Sequence, residues 1–487
     1  MGECTREKGT LPQAWRRSDH LSASNRELPR AAPCAYVIES WSEALRGKGR
    51  VMDEGKPFPQ VTQLRQRFHD QPELADVEAA VRAAVFGSKL AERLPKGARV
   101  ALTAGSRGIS GIDRITRAAV HALRDLGFAP FVVAAMGSHG GGTVAGQRAL
   151  LGELGITEAS VGCPIKSDMD TVTLGTNRFG LPIHFDRNAY EADGIVLLNR
   201  VKPHTSFRGD YESGLLKMLA IGLGKREGAA QVHKLGLLGL KQLLPEVGAR
   251  LLGEVNVVLG LAILENARER TASITAVEPE AILQTEPRLL EQARQLMGRL
   301  PFDQIDVLVV GELGKNYSGT GLDPNVIGRQ RVETMPDLPR PVVTRLAVLD
   351  LAPESRGNAV GIGLADLTTQ RFVDAIDPEP GRVNCLTSNF LTRVRVPIAL
   401  ATDRGVITAC LNTCWRIDWS EVRMVIIPNT LELETLWVTQ PLVAEARSLG
   451  CELDGAGPID LPFDEEGRLS QGSLFPESVR GRRGGDR

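Results

Sequence analysis

Apolar positions along the chain follow two alternating patterns. Short continuous apolar runs are separated by stretches in which apolar residues recur every three or four positions. The first run is RVALTA, Arg99 to Ala104. After it, Ile112, Ile115, Ala119, Leu123 and Leu126 share one face of a helix predicted over 112–126, and Gly127 stops it. PFVVAAM (Pro130 to Met136) and GIVLLN (Gly194 to Asn199) suit strands buried on both faces. A hairpin is predicted over 171–185, a helical stretch over 235–252, a strand from Val255 and a charged amphipathic helix over 278–297. A second set opens with IDVLVVGE (Ile305 to Glu312) and continues through TRLAVLDL, VPIALAT and VRMVIIPN. Helices are expected near 366–376, 382–391, 403–412 and 442–449.

Strands alternating with helices predict two α/β domains with parallel or mixed sheets. The expected boundaries are 52–300 for the first domain and 301–465 for the second. Residues 1–51 lack apolar periodicity and read as a disordered extension or an early start, with Met52 as the initiator. Residues 466–487 read as a disordered basic tail.

Composition narrows the function classes. Hydrophobic residues make up 42%, charged residues 24%, and the formal net charge is −1. These values exclude a disordered chain, a collagen and a basic nucleic-acid-coating protein. The longest apolar run, VNVVLGLAIL, falls short of the ~18 residues that span a bilayer. Neither a nucleic acid nor a membrane is therefore an expected partner. The seven cysteines are odd in number and irregularly spaced, and no apolar signal-peptide core precedes them, so the expected compartment is the cytoplasm. Cys410 and Cys414 would share a helix face, but no second Cys or His pair accompanies them, and buried structural thiols are the simpler reading.

Glycine is the compositional outlier. Nineteen of the 51 glycines fall in three windows, 105–146, 209–228 and 311–328, while residues 1–50 hold four. The glycine loops GSRGISG, GSHGGGT and GKNYSGTGLDPNVIGR each follow a predicted strand. Ligands of open α/β sheets lie at those strand ends. There glycine lets backbone approach a ligand closely or take positive φ.

Seven histidines are present, and three stand out by position. His139 in MGSHGGG and His204 in VKPHTSF each follow a buried strand, and His233 lies sixteen residues beyond Lys217. His184, in the hairpin, reads as structural. Two histidines on separate loops could act alternately as acid and base, as inversion of a chiral centre requires. Arg107 could hold a carboxylate at two points. Lys217, among Leu215, Leu216, Met218 and Leu219, is either a snorkelling surface residue or a desolvated reactive amine.

In this order, Arg107 in AGSRGIS, His139 in GSHGG, PHTSFRGDYESGLLK with His204 and Lys217, and then His233 resemble the nickel-dependent lactate racemase family. The resemblance covers about residues 60–460 and implies two α/β domains with the active site in the cleft between them. It implies a nickel pincer nucleotide, a pyridinium-type mononucleotide carrying Ni, covalently attached at Lys217. It also implies that His233 ligates the metal, that His139 and His204 exchange the substrate hydroxyl proton while a hydride passes to and from the cofactor, and that Arg107 orients the carboxylate. Gly105, Ser106, Gly137, Gly140 and Gly141 would hold the nucleotide phosphate through backbone N–H groups. The implied partners are a small-molecule 2-hydroxy acid and proteins of cofactor biosynthesis, with a homo-oligomer left open.

The chain departs from the family's pattern at several positions. Ala104 stands where an acidic residue is usual, and Gly140 where an arginine is usual. The segment from His204 to Lys217 is longer and carries Arg208, Asp210 and Glu212. In the second domain Lys315, Asn316, Ser318 and Arg329 could contact ligand. The substrate is therefore expected to be a larger or more acidic 2-hydroxy acid, or a sugar acid, rather than lactate. The alternatives are a cofactor- or nucleotide-binding homologue without nickel or turnover, and a nicotinamide dehydrogenase. GSHGGGTVAG lacks the dinucleotide fingerprint, and no P-loop string occurs.

Overall fold

Two sheets organise the chain between Lys56 and Phe475, the residues that the computed structural model describes apart from Arg107, Thr334 and Ala456. The expectations for residues 1–51 and for the end of the basic tail lie outside the described residues. The first strand, β1 (Val61–Arg65), is followed by β2 (Arg99–Ala104), β3 (Ala129–Ala134) and β4 (Ile165–Lys166). A hairpin of β5 (Thr171–Thr176) and β6 (Pro182–Asp186) precedes β7 (Gly194–Arg200), β8 (Val257–Glu265) and β9 (Thr271–Val277). The first sheet has the order β4-β3-β2-β7-β8-β9. Its pairs are parallel except for the antiparallel edge strand β9.

The second part supplies β10 (Gln304–Leu313), β11 (Val342–Leu351), β12 (Leu367–Thr369), β13 (Ile398–Leu400), β14 (Met424–Ile427), β15 (Thr435–Thr439) and β16 (Glu452–Leu453). They form an eight-stranded mixed sheet ordered β13-β12-β11-β10-β14-β15-β1-β16. The α/β architecture expected from the sequence is thus present.

Both sheets are covered on both faces, as the continuous apolar runs require. Along β7, Ile195 and Leu197 enter one core while Val196 and Leu198 enter another. Along β10, Val307 and Val309 face one core while Leu308 and Val310 face the other. This two-residue alternation is the pleat itself, with apolar side chains on both sides. Helix Ile112–Asp125 covers the β2 side with Ile112, Ile115, Ala119 and Leu123 buried, matching its predicted stripe.

Two expected boundaries need correction. Strand β1 lies before residue 300 but pairs with β15 and β16 in the second sheet. Its VTQLR sequence carries no mark of which sheet it joins. The packed chain also continues past residue 465. Leu469, Leu474 and Phe475 are buried in the second core, and the Trp437 indole N–H donates to the Leu474 carbonyl at 2.7 Å. The sparse apolar residues of this segment hid its packing. Among the described residues, no helix is long and apolar enough to cross a membrane.

Candidate active site at the junction of the two sheets

The loop that carries His204 is closed by backbone pairing. Lys202 and Ser213 exchange N–H···O=C bonds of 2.9 and 3.3 Å, so residues 203–212 form an excursion with a narrow neck. Ser213 begins the turn into the short helix Leu215–Lys217, and the Lys217 amine donates to Ser213 Oγ at 3.5 Å. Residues far apart in the unusually long segment are thereby brought back together. A π-helical turn, Met218–Gly222, follows Lys217 directly, a local irregularity frequent at functional sites.

Glu212 holds the excursion from within. Its side chain is fully buried and accepts the His204 backbone N–H at 2.5 Å, the Gly209 N–H at 3.1 Å and the Arg294 guanidinium at 2.8 Å. Arg208 donates to the His204 carbonyl at 2.6 Å and to Asn325 of the second lobe. Arg208 and Glu212 thus have an architectural use, while Asp210 is exposed.

Helix Lys225–Lys234 carries His233 near its end, a helix that the sequence reading began ten residues later. His233 Nδ1 is buried and has no hydrogen-bond partner. Burial, and secondarily the Lys217 ammonium, lower its pKa to about 4. At neutral pH His233 is therefore an uncharged imidazole, the form that ligates metals. His204 is also held well below the ordinary histidine range, first by burial, then by the fields of Lys217, His233, Arg393 and Lys202. The Lys217 ammonium acts on both histidines, which places three of the predicted residues, His204, Lys217 and His233, in one electrostatic neighbourhood. From the second lobe, Asn389 donates to the His233 carbonyl at 2.7 Å.

The backbone partners fix the histidine tautomers. Ser206 N–H donates to His204 Nδ1 at 3.1 Å, so the proton of neutral His204 sits on Nε2. The His204 ring also rests on Phe207, with centroids 4.5 Å apart. His139 Nδ1 lies 2.9 Å from the Met136 carbonyl, which can only accept, so a neutral His139 carries its proton on Nδ1. His139 is exposed on its loop. That loop packs against the Ile221–Ala229 region, where Gly137 lies, with its N–H donating to the Gly222 carbonyl.

The glycine loops have mixed causes. At Gly140 a Cβ would come within 2.6 Å of Gly146 and Gln147 backbone, so this glycine closes the loop onto the next helix. At Gly141, with φ +67°, nothing stands near a Cβ, and only its backbone conformation calls for glycine. Gly105 faces the Met218 methyl, which a Cβ would meet at 3.2 Å, so the loop after β2 lies beside the Lys217 turn. Ser106 shares that loop; Arg107 lies outside the described residues. Buried Glu265 anchors the same loop by accepting Ser110 N–H at 2.6 Å and pairs with Arg200.

The second-domain candidates are not gathered with the histidines. Arg329 is buried and committed to Asp366 at 2.8 Å and to the carbonyls of Leu364, Val343 and Thr344. Ser318 is buried in its own turn, 3.2 Å from Thr320 Oγ1. Lys315 donates to Gly319 and Asn384. The glycine loop attracted attention, but its polar side chains mainly brace the loop.

Sequence reading missed Arg393, Gln330, Glu286 and Lys225. Lys225 is fully buried and pairs with Asp186 at 2.5 Å while donating to the Ala134 carbonyl at the end of β3. In the sequence it stands in GLGKREG, which carries no mark of a buried ion pair. Arg393 sits in LTRV, which has no motif at all. The Cys410 and Cys414 thiols are buried, and Cys414 donates to the Leu411 carbonyl, in keeping with structural thiols.

Among the described residues, no cluster of three or more His, Cys, Asp or Glu could hold a metal.

The arrangement defines a two-lobed α/β protein with basic and imidazole groups converging at the lobe junction. Residues 56–242 match the family model described as the lactate racemase N-terminal domain. Over these residues the chain is similar to that domain, and the match spans less than half of the chain's length. The lactate racemase apoprotein of Thermoanaerobacterium thermosaccharolyticum overlays 74% of this chain and 92% of its own, at 10% identity and a TM-score of 0.46. That likeness is too loose to bear on the site. No curated protein sequence matches the chain.

Proposed function

We propose that this protein is a racemase or epimerase of a 2-hydroxy acid other than lactate, using a nickel pincer nucleotide held at the lobe junction. The observation that carries this reading is the convergence of His204, Lys217 and His233, with a buried, uncharged and unpartnered nitrogen on His233. These residues fit the cofactor. Lys217 would supply the covalent anchor and His233 the protein nitrogen for nickel, a metal that imidazole suits. When bound, the cofactor supplies a reversible hydride acceptor.

The chain's own residues supply binding and proton handling. Neutral His139, with its lone pair on Nε2, takes the hydroxyl proton. His204, with its proton on Nε2, donates a hydrogen bond to the substrate oxygen. Proton uptake by His204 requires release of the Ser206 N–H bond, so the two histidines are unequal in this arrangement. Arg107 orients the carboxylate in the reading carried over from the family. Glu212 and Arg208 hold the His204 loop against the second lobe.

The locked His204 tautomer favours a second reading, a cofactor-binding homologue without turnover. Chiral chromatography of 2-hydroxy acids and sugar acids separates the two. His139→Ala and His204→Ala should each abolish racemisation while nickel is retained, and His233→Ala should lower nickel retention. If both catalytic substitutions leave activity unchanged, the role assignment is wrong. Full cofactor loading with no inversion of any acid tested supports the second reading.

A further inference from the structure

Two buried arginines of the second lobe invite comparison. Arg329 is 7% exposed and its guanidinium is paired with the Asp366 carboxylate and three carbonyls. Arg393 is 1% exposed, and among the described residues no carboxylate lies within ion-pair distance of it. Of its nitrogens only NH2 is hydrogen-bonded, to Thr205 O at 3.3 Å, Ser206 Oγ at 3.5 Å and Gln330 O at 3.3 Å, and the guanidinium lies over the Phe390 ring, 5.5 Å from its centroid. Nε and NH1 are buried without a hydrogen-bond partner. Burial lowers its pKa to about 10, so it remains a cation at neutral pH.

A second buried donor belongs to the same place. Gln330, whose carbonyl accepts from Arg393, has a buried Nε2 without a partner. The unpartnered atoms of both side chains are thus donors. Such donors are costly unless an acceptor reaches them, and an isolated buried cation is costlier still. The guanidinium edge formed by Nε and one terminal nitrogen matches the two oxygens of a carboxylate or phosphate. Arg393 also touches the His204 loop through Thr205 and Ser206, and its field acts on His204 itself.

We propose that Arg393, assisted by Gln330, is an oxyanion-binding residue that takes a ligand carboxylate or phosphate beside His204. Anion binding here does not depend on nickel. Assigning the anion to the substrate rests on the racemase reading, and it then names an acid anchored from the second lobe.

The test is calorimetric titration of the purified full-length chain with lactate, tartrate and inorganic phosphate, alongside thermal unfolding with each. At least one of these anions should bind the wild type and raise its melting temperature. Arg393→Met should weaken that binding at least tenfold, and Arg393→Lys should weaken it less. Gln330→Leu is the second variant, should the arginine variants not fold, and should weaken binding severalfold. Tartrate binding tighter than lactate assigns a second substrate carboxylate, and equal binding assigns the carboxylate common to both. Phosphate binding alone assigns the cofactor phosphate. Absence of binding by all three anions, or unchanged binding in folded Arg393→Met and Gln330→Leu, overturns the proposal. Failure of the nickel reading is distinct: it shows as an unmodified Lys217 peptide while anion binding persists.

Discussion

Glu286 caps the turn that presents Lys217: its Oε2 accepts the Leu216 backbone N–H at 2.9 Å, while Oε1 is buried without a partner. Burial raises the pKa of this carboxyl to about 7. The folded state therefore keeps a proton that the unfolded chain releases near 4.5. Its contribution to stability is fully present below pH 4.5 and is lost as pH rises toward 7, by on the order of 3 kcal/mol. His204 and His233 act in the opposite sense, because their lowered pKa values withdraw stability as pH falls below 6.5. The comparison of wild type with Glu286→Gln isolates the glutamate. Urea denaturation from pH 4.5 to 8 should show the variant gaining stability relative to wild type as pH rises. A pH-independent difference would show that Glu286 does not titrate in this range.

The buried Glu212 carboxylate should be a stability determinant of the His204 loop. Glu212→Ala removes the acceptor of two backbone N–H groups and leaves Arg294 without its buried partner. The expected loss is about 3–5 kcal/mol by denaturant unfolding. Glu212→Gln should lose less, since one oxygen still accepts. A loss below about 1 kcal/mol for the alanine variant would mean that the loop is held by other contacts.

Lys225 and Asp186 should behave as a coupled pair. The Lys225 side chain and the Asp186 side chain are both fully buried, and burial pushes the Asp186 carboxyl up despite the lysine's pull. Lys225→Met strands the carboxylate and should cost about 3–5 kcal/mol. Adding Asp186→Asn, which keeps an oxygen for the Ala189 N–H, should restore much of that loss. Strict additivity in this double-mutant cycle would contradict a direct pair.

Much of the fold was legible in the sequence because its strands are buried on both faces. RVALTA, GIVLLN and IDVLVVGE are continuous apolar runs, and helix Ile112–Asp125 has a clean stripe. Strand β1 was not legible, since its partners β15 and β16 lie more than 350 residues away. Of the candidate site, His204 was singled out by its place after a buried strand, and Lys217 and His233 by the ordered spacing that carries the family resemblance. Arg393 and Gln330 come from the other lobe, and only tertiary packing brings Arg393 to the His204 loop. Arg329 misled because a glycine-rich segment after a strand resembles a ligand loop, whereas its arginine is taken up by Asp366.

His233 Nδ1 offers a direct handle on the proposed nickel site. Nickel content of purified His233→Gln should fall at least tenfold relative to wild type made in the same cells, with the fold retained by circular dichroism. Wild-type nickel content in that variant would remove His233 from the ligand set.

The central claim is that Lys217 anchors a cofactor beside His204 and His233. It is tested most directly by intact mass and peptide mapping of protein made in cells that synthesise the nickel pincer nucleotide. The account predicts a covalent adduct on the Lys217 peptide, lost in Lys217→Ala, with nickel copurifying. An unmodified Lys217 peptide and no nickel, in protein from those same cells, would contradict it.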